Sequence, residues 1–258
     1  MTKEESVIYG VNPVRESLRS ETAQLEKIYF LPGKGSKDMD EIRTLAKQRR
    51  IALISSQRIF LDRMAGTPKH QGIVAVLAVQ PYLELEPLIE AAQRGPKPPF
   101  LFLIDGVEDP RNLGAIIRTV DAAGGNGIVI PSRRAVGLTP VVAKTSAGAL
   151  AHLPVARVTN LAAAIEMLKT AGFWIVGLDV EGKTPYVKYD FTGPIAIVVG
   201  GEGKGIRRGV LEHCDDTVVL PMLGRVSSLN VAIAVGIVAY EVVRQRQGNE
   251  NVSARKER

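Results

Sequence analysis

Leu220-Pro-Met-Leu-Gly-Arg-Val-Ser-Ser-Leu-Asn-Val-Ala-Ile-Ala-Val-Gly-Ile-Val-Ala-Tyr-Glu241 is the stretch whose reading decides the fold. It reads as the end of a strand, a turn and a helix. Thr217–Leu220 is a β-branched run halted by Pro221, which cannot donate to a ladder. Gly224 gives the turn its freedom, and Ser227 or Ser228 stands where an N-cap belongs, ahead of an apolar run. Leu229, Ile233, Gly236, Ile237 and Tyr240 then recur at helical spacing with little polar surface between them. A helix apolar on nearly every face is buried, against a sheet or a partner chain. A packed C-terminal helix with an ordinary cap is one reading of the stretch. The other rests on Ser227, Ser228 and Asn230, polar groups at the mouth of a greasy element. Buried polar groups need partners, and a ligand is one such partner.

Working back from this stretch, strands and helices alternate from Phe100 onward. The expected strands are Phe100–Ile104, Gly127–Ile130, Pro154–Val158, Phe173–Leu178, Ile195–Val199 and Thr217–Leu220. The expected helices are Leu113–Ala123, Pro140–Ser146, Leu161–Ala171, Ile206–His213 and Leu229–Arg246. Apolar strands without alternation, separated by helices, predict an α/β domain with a parallel sheet covered on both faces. Ligands of such sheets sit at the carboxyl ends of strands. The polar, glycine-rich segments Asp105–Asn112, Gly200–Gly205 and Pro221–Ser228 all fall there.

The N-terminal part has a different texture. Residues 1–80 predict a compact α/β unit with strands at Ile8, Ile28–Leu31, Ile51–Ile54 and Gly72–Val79. Asn12 is the expected N-cap of its first helix, with Pro13 in the first helical position. Asp38–Arg50 is an amphipathic helix with Ile42, Leu45 and Ala46 inward. This part carries thirteen lysines and arginines against nine acids, either a solvated face or a surface for a polyanion. Residues 81–99 contain five prolines around one short helical piece and read as a semi-rigid linker. The catalytic part would span 100–246, and the polar stretch 247–258 reads as a flexible tail.

Composition narrows the function. A net charge of +6 favours a polyanionic partner. No apolar run is long enough for a membrane span, and the N-terminus does not read as a signal peptide. The single Cys214 excludes an internal disulfide and a cysteine zinc site, which fits the reducing cytoplasm. The three histidines are widely spaced, so no metal is expected.

Two further constellations carry chemistry. In Asp105-Gly-Val-Glu-Asp-Pro-Arg-Asn-Leu-Gly-Ala-Ile-Ile-Arg118 a loop runs into a helix that Asn112 would open as N-cap. Asn112 and Arg118 are about one and two-thirds turns apart, so they do not share a face. In Val199-Gly-Gly-Glu-Gly-Lys-Gly-Ile206 the glycines let a ligand approach bare backbone. Neither the phosphate-loop signature nor the dinucleotide spacing is present, and Glu202 would repel a triphosphate.

Taken together the three stretches resemble the SpoU/TrmH branch of the SPOUT RNA methyltransferases. The family's Asn-x-Gly-x-x-x-Arg falls on Asn112, Gly114 and Arg118, and its Gly-x-Glu-x-x-Gly on Gly200, Glu202 and Gly205. Its proline, glycine and Ser-Leu-Asn-Val fall on Pro221, Gly224 and Ser228–Val231. Thr145–His152 is similar to the family's Ser-Ala-Gly-Ala stretch, and residues 1–80 resemble its small substrate-binding domain. The resemblance implies an S-adenosylmethionine site in which Gly200, Leu220 and Leu229 touch the cofactor and Gly201, Met222 and Ser228 lie nearby. It implies Arg118 as the catalytic residue, with Asn112, Glu202, Ser228 and Asn230 orienting it, the ribose and the cofactor. A homodimer through the C-terminal helix and a deep trefoil knot are implied too, although un-knotted chains are the default. The implied reaction is 2′-O-methylation of a ribose, at a guanosine of 23S ribosomal RNA or alternatively in transfer RNA. A non-catalytic RNA-binding assembly factor is an alternative of another class; the presence of Arg118 and Asn230 weighs against it. A dinucleotide oxidoreductase lacks both its glycine fingerprint and its ribose-binding acid.

Overall fold

The computed structural model describes residues 7–19, 25–33, 37–77 and 81–256, without the side chains of Lys37 and 248–256. It falls into two units, one running to Pro81 and including Gly137–Ala143, the other holding Tyr82–Val136 and the chain from Lys144 onward.

The first unit is built on four strands, β1 (Val7–Tyr9), β2 (Leu25–Phe30), β3 (Ala52–Ser55) and β4 (Ile73–Leu77), in the order β1-β4-β2-β3. β4 runs antiparallel to β1 and β2, whereas β2 and β3 are parallel. Helices α1 (Val11–Arg19) and α2 (Lys37–Gln48) place Val14, Leu18, Ile42 and Ala46 in a core with Ile28 and Ile73. α3 (Arg58–Ala65) completes the unit. Asn12 does not cap α1. The helix already begins at Val11, whose N–H donates to Gln71 Oε1 at 2.9 Å, and Asn12 Oδ1 accepts from Arg15 instead. The expected continuation of β4 to Val79 lies outside the described residues. Three of this unit's basic residues are neutralised locally, in Arg15–Asp38, Arg19–Glu41 and Arg43–Asp40 pairs.

In the second unit seven strands form one sheet in which every pairing is parallel. They are β5 (Phe100–Asp105), β6 (Gly127–Pro131), β7 (Val155–Val158), β8 (Trp174–Leu178), β9 (Thr184–Pro185), β10 (Ile195–Gly200) and β11 (Asp216–Val219), in the order β7-β6-β5-β10-β8-β11-β9. The chain lays down β5, β6 and β7 on one side and crosses to β8 and β9. It then inserts β10 between β5 and β8, and β11 between β8 and β9. Every residue of β5, β6 and β7 is buried, as both-faced cover requires.

The expected linker is a working part of this unit. Residues 85–93 form α4 (Leu85–Gln93), whose Leu85, Leu88, Ile89 and Ala92 are buried with Leu101, Leu103 and Val129. Leu83 bridges to Ala156 on β7, and Arg157 stacks over Tyr82 at 4.0 Å. The prolines punctuate the ends of α4, and its apolar face is spaced for burial, so the segment packs as structure. The remaining helices are α5 (Pro110–Ala122), α6 (Pro140–Thr145), α7 (Leu161–Thr170), α8 (Arg208–Leu211) and α9 (Val231–Lys256). The backbone of α9 continues through the expected flexible tail to Lys256, where no proline interrupts it. Val231, Val235, Val238 and Val242 bury one face of α9, which packs on α5 and β10. Gln245 fixes its far end: its Oε1 accepts the Phe191 N–H at 2.8 Å and its Nε2 donates to the Tyr189 carbonyl at 2.8 Å.

Candidate active site

A cleft of about 430 Å3 opens at the carboxyl ends of β8, β10 and β11, within the size range of a small-molecule site. Gly200, Gly201, Leu220, Met222, Ser228 and Leu229 all line it, although they come from two separate segments, one after β10 and one after β11. Asp179 and Val180, just past β8, line it too and escaped the sequence reading. Their signal was available: Leu178-Asp-Val-Glu-Gly182 repeats the polar turn after an apolar strand that marks Asp105.

The glycine segment is shaped by its own packing as much as by any ligand. A Cβ on Gly200 would collide with the backbone of Gly205 and Ile206, and one on Gly201 with the carbonyl of Gly106. The segment is therefore a folded hairpin-like turn, closed by the Gly201–Gly205 bridge and by the Gly201 N–H donating to the Asp105 carbonyl at 2.8 Å. Its far end is latched by Asp105, whose side chain is 0% exposed. That carboxylate accepts the Arg207 backbone N–H at 2.9 Å and the guanidinium at 2.7 and 2.6 Å. The Arg207 side chain is 43% exposed but Asp105 is buried, so removing the guanidinium leaves a buried carboxylate with only the backbone N–H of residue 207. Arg207→Ala is therefore expected to destabilise the unit by about 3 kcal/mol, read as a lowered urea midpoint; an unchanged midpoint would show the latch to be dispensable.

Two asparagines and Glu202 form a hydrogen-bonded chain across three loops. Asp109, not Asn112, caps α5: its carboxylate accepts the Arg111 N–H at 2.7 Å, with Pro110 in the first turn. Asn112 is thereby released from capping. At α9 the cap is Asn230, not Ser227 or Ser228, because the helix starts at Val231 and Asn230 Oδ1 accepts the Ala232 N–H at 3.0 Å. With its oxygen committed, Asn230 can offer only its NH2, which donates to Asn112 Oδ1 at 3.0 Å. Asn112 must then turn its own NH2 outward, and it donates to Glu202 Oε1. A carboxylate accepts only, so the direction of the whole chain follows from one helix cap. The second Glu202 oxygen remains available for a hydroxyl donor.

Ser227 and Ser228 are exposed and make no hydrogen bond among the described residues. The mouth of α9 is thus open, where the sequence reading expected buried polar groups. Arg118 is exposed, two turns along α5 from this chain, and makes no hydrogen bond or ion pair among the described residues. It does not line the cleft of its own chain. The structure therefore unites Asn112, Glu202 and Asn230, gathers the six cleft residues, and leaves Arg118 apart. Burial pushes the thiol of Cys214 up to about 12, a packing group and no nucleophile.

Comparison with known proteins fits this geometry. Residues 99–240 match the SpoU rRNA Methylase family, and residues 7–83 match the family described as RNA 2'-O ribose methyltransferase substrate binding. YacO of Bacillus subtilis, provisionally assigned as a TrmH family tRNA/rRNA methyltransferase, is 44% identical over 246 residues, covering 95% of this chain and 98% of the relative. The 23S rRNA (guanosine-2'-O-)-methyltransferase RlmB of Pseudomonas putida is 40% identical over 243 residues, covering 93% of this chain and 96% of that protein. Among solved structures, the SpoU methyltransferase AviRb of Streptomyces viridochromogenes, in complex with the cofactor AdoMet, superposes with a TM-score of 0.59 at 28% identity. That match covers 94% of this chain and 90% of AviRb. With its cleft, its hydrogen-bonded Asn230–Asn112–Glu202 chain and these relatives, the protein belongs to the SpoU rRNA methylase family of RNA methyltransferases.

Proposed function

We propose that the protein methylates the 2′-hydroxyl of a guanosine ribose in 23S ribosomal RNA, using S-adenosylmethionine. The observation that carries this is the convergence of three distant segments at one sheet edge, with a cleft on one side and the Asn230–Asn112–Glu202 chain beside it. The residues suit the cofactor. Leu178, Val199, Leu220, Met222 and Leu229 offer apolar walls, and the carboxylate of Asp179 suits its cationic end. When bound, S-adenosylmethionine supplies a methyl group activated by its sulfonium.

The protein's task is then to place a hydroxyl and ease its loss of a proton. Glu202, held by Asn112, has an oxygen free to accept from a ribose hydroxyl. Arg118 supplies a cation for the developing alkoxide. An arginine is effectively always protonated, so electrostatic stabilisation fits it better than a role as base. The guanosine and the 23S target follow the RlmB relative. Transfer RNA is the second reading, supported by the tRNA/rRNA description of YacO.

The same reading includes a homodimer. Ile233 and Tyr240 are 55% and 53% exposed on the outward face of α9, with Leu229 (38%) just ahead of the helix, an apolar stripe that a second copy would cover. It also includes a trefoil knot, supported by the return of β10 and β11 into gaps between strands laid down earlier. The first unit would bind substrate RNA, and the cytoplasm is the proposed compartment. Among the described residues no helix is long and apolar enough to cross a membrane.

Calorimetry is expected to show binding of S-adenosylmethionine and S-adenosylhomocysteine but not of a nicotinamide dinucleotide or ATP. Tight ATP binding without the methionine cofactor would overturn the assignment. Mass spectrometry of ribosomal and transfer RNA from a deletion strain, searched for one lost 2′-O-methyl, identifies the target.

A further inference from the structure

The arginines of the second unit whose side chains are described divide into two groups. Arg94, Arg207, Arg208 and Arg244 pair with carboxylates, Arg157 stacks on Tyr82, and Arg246 donates to the carbonyls of Phe191 and Gly193. Arg111, Arg118, Arg133, Arg134 and Arg225 are exposed, and their guanidinium groups make no hydrogen bond or ion pair among the described residues. Four of these five sit at the carboxyl edge of the sheet. Arg111 is in the first turn after β5, Arg133 and Arg134 follow β6, and Arg225 follows β11. Apart from Arg118 on α5, the unpaired guanidinium groups thus collect on the edge where the cleft opens, while the other arginines are held by carboxylates, a ring or carbonyl oxygens.

The Arg133–Arg134 turn is the most constructed part of that edge. It is pinned on one side by the Ser132 N–H, which donates to the Val158 carbonyl at 2.8 Å. On the other side the Val136 N–H donates to the Val107 carbonyl at 2.9 Å. Between the pins Arg134 adopts φ +58°, in the left-handed region that a non-glycine residue enters at a cost. The sharp turn places two adjacent arginines at the apex of a short, tethered loop. That loop abuts the Asp105–Asp109 loop leading into Asn112. Nothing in the described protein uses either charge, and a glycine would satisfy the backbone more easily.

We propose that Arg133 and Arg134 are a clamp of the second unit for RNA phosphates, holding the backbone beside the ribose to be methylated. This rests on the proposed RNA methyltransferase reading and adds to it a positioning site for the substrate. Guanidinium forks match phosphate oxygens, and a tethered loop spends little entropy on binding them. Because the contacts are to phosphate, they strengthen binding without reading the base.

The test uses the full-length protein and unmodified 23S ribosomal RNA made by transcription, with binding measured across a range of potassium chloride concentrations. The Arg133→Ala/Arg134→Ala variant is expected to lose roughly tenfold or more in RNA affinity. Its log K against log salt should flatten by roughly one for each lost phosphate contact. S-adenosylmethionine affinity and kcat at saturating RNA should be unchanged. Arg134→Gly suits the positive φ, so a loss of RNA affinity in that variant cannot be ascribed to a misfolded loop. A double lysine variant, which keeps the charge, should retain most of the salt slope. Unchanged affinity and slope in the double alanine variant would overturn the clamp, whatever the enzyme's activity. A wild-type protein that transfers no methyl to any RNA would instead overturn the proposed function, and the salt slope would still report on the arginines.

Discussion

Arg118→Ala is expected to lower kcat by roughly 10²–10³-fold at saturating RNA, the usual cost of one electrostatic donor that acts in the transition state. S-adenosylmethionine affinity should barely move, because the cleft is lined from β8, β10, β11 and their loops while Arg118 stands on α5. The structure sharpens the expectation. Arg118 is exposed and has no partner among the described residues, so its removal breaks no internal contact and stability should be nearly unchanged. A fall in kcat therefore cannot be traced to unfolding. If the arginine only tethered the RNA backbone, KM would rise and kcat would stay. Arg118→Lys separates the two chemical roles. It keeps a charge without the planar fork, so partial rescue favours electrostatics, whereas a base role predicts a shifted pH profile because lysine loses its proton more readily. Full turnover by Arg118→Ala at saturating RNA would remove it from the catalytic group.

Much of this site was legible in the sequence because strand ends and glycine-rich turns are local events. The runs at Phe100, Ile195 and Thr217 are apolar without alternation, and each is followed by a polar loop; a parallel sheet puts those loops on one edge. Capping was misread for a physical reason. Ser227, Ser228, Asn230, Asp109 and Asn112 are all competent caps, and local propensity cannot choose among neighbours one to three residues apart. The choice mattered, since capping by Asp109 and Asn230 is what frees Asn112 and sets the direction of its hydrogen bonds to Asn230 and Glu202.

Other features needed information that no short window holds. The insertion of β10 between β5 and β8 is a long-range choice, invisible to periodicity. The segment of prolines from Pro81 to Pro99 looked like a linker because its breakers are dense. Yet Leu85, Leu88, Ile89 and Ala92 within it are spaced as one helix face and find a core to enter. The glycines of the second motif looked like space left for a ligand. In the structure Gly200 and Gly201 are demanded first by the approach of neighbouring backbone, and the ligand surface is what that tight turn leaves exposed. Arg134 gave no signal, since its left-handed backbone is set by tethers from Val107 and Val158.

The helix pattern in the opening stretch is resolved into two faces, and the outward one yields the second large effect. Ile233→Asp is expected to convert the proposed dimer into a monomer. Val231, Val235, Val238 and Val242 are buried within the chain, so one sheet and α5 account for that stripe. Leu229, Ile233 and Tyr240 remain exposed, and a two-fold contact through them would bring Ile233 toward its own copy. A carboxylate there would be desolvated without a partner, and the like charge of the other subunit would add to the cost, which amounts to several kcal/mol. Within the single chain the same substitution is benign. Ile233 is the third residue of α9, and an acid in the first turn favours the helix by about 0.3–1 kcal/mol. A lost dimer with an unchanged melting profile of the subunit is therefore the expected pair of results in light scattering and calorimetry. Because Arg118 does not line the cleft of its own chain, methyl transfer should fall with the mass if each subunit lends Arg118 to the other's cleft. A wild-type protein that is monomeric at micromolar concentration removes the dimer and the shared site together. A variant that stays dimeric and active would move the interface off α9 while leaving the site at the strand ends in place.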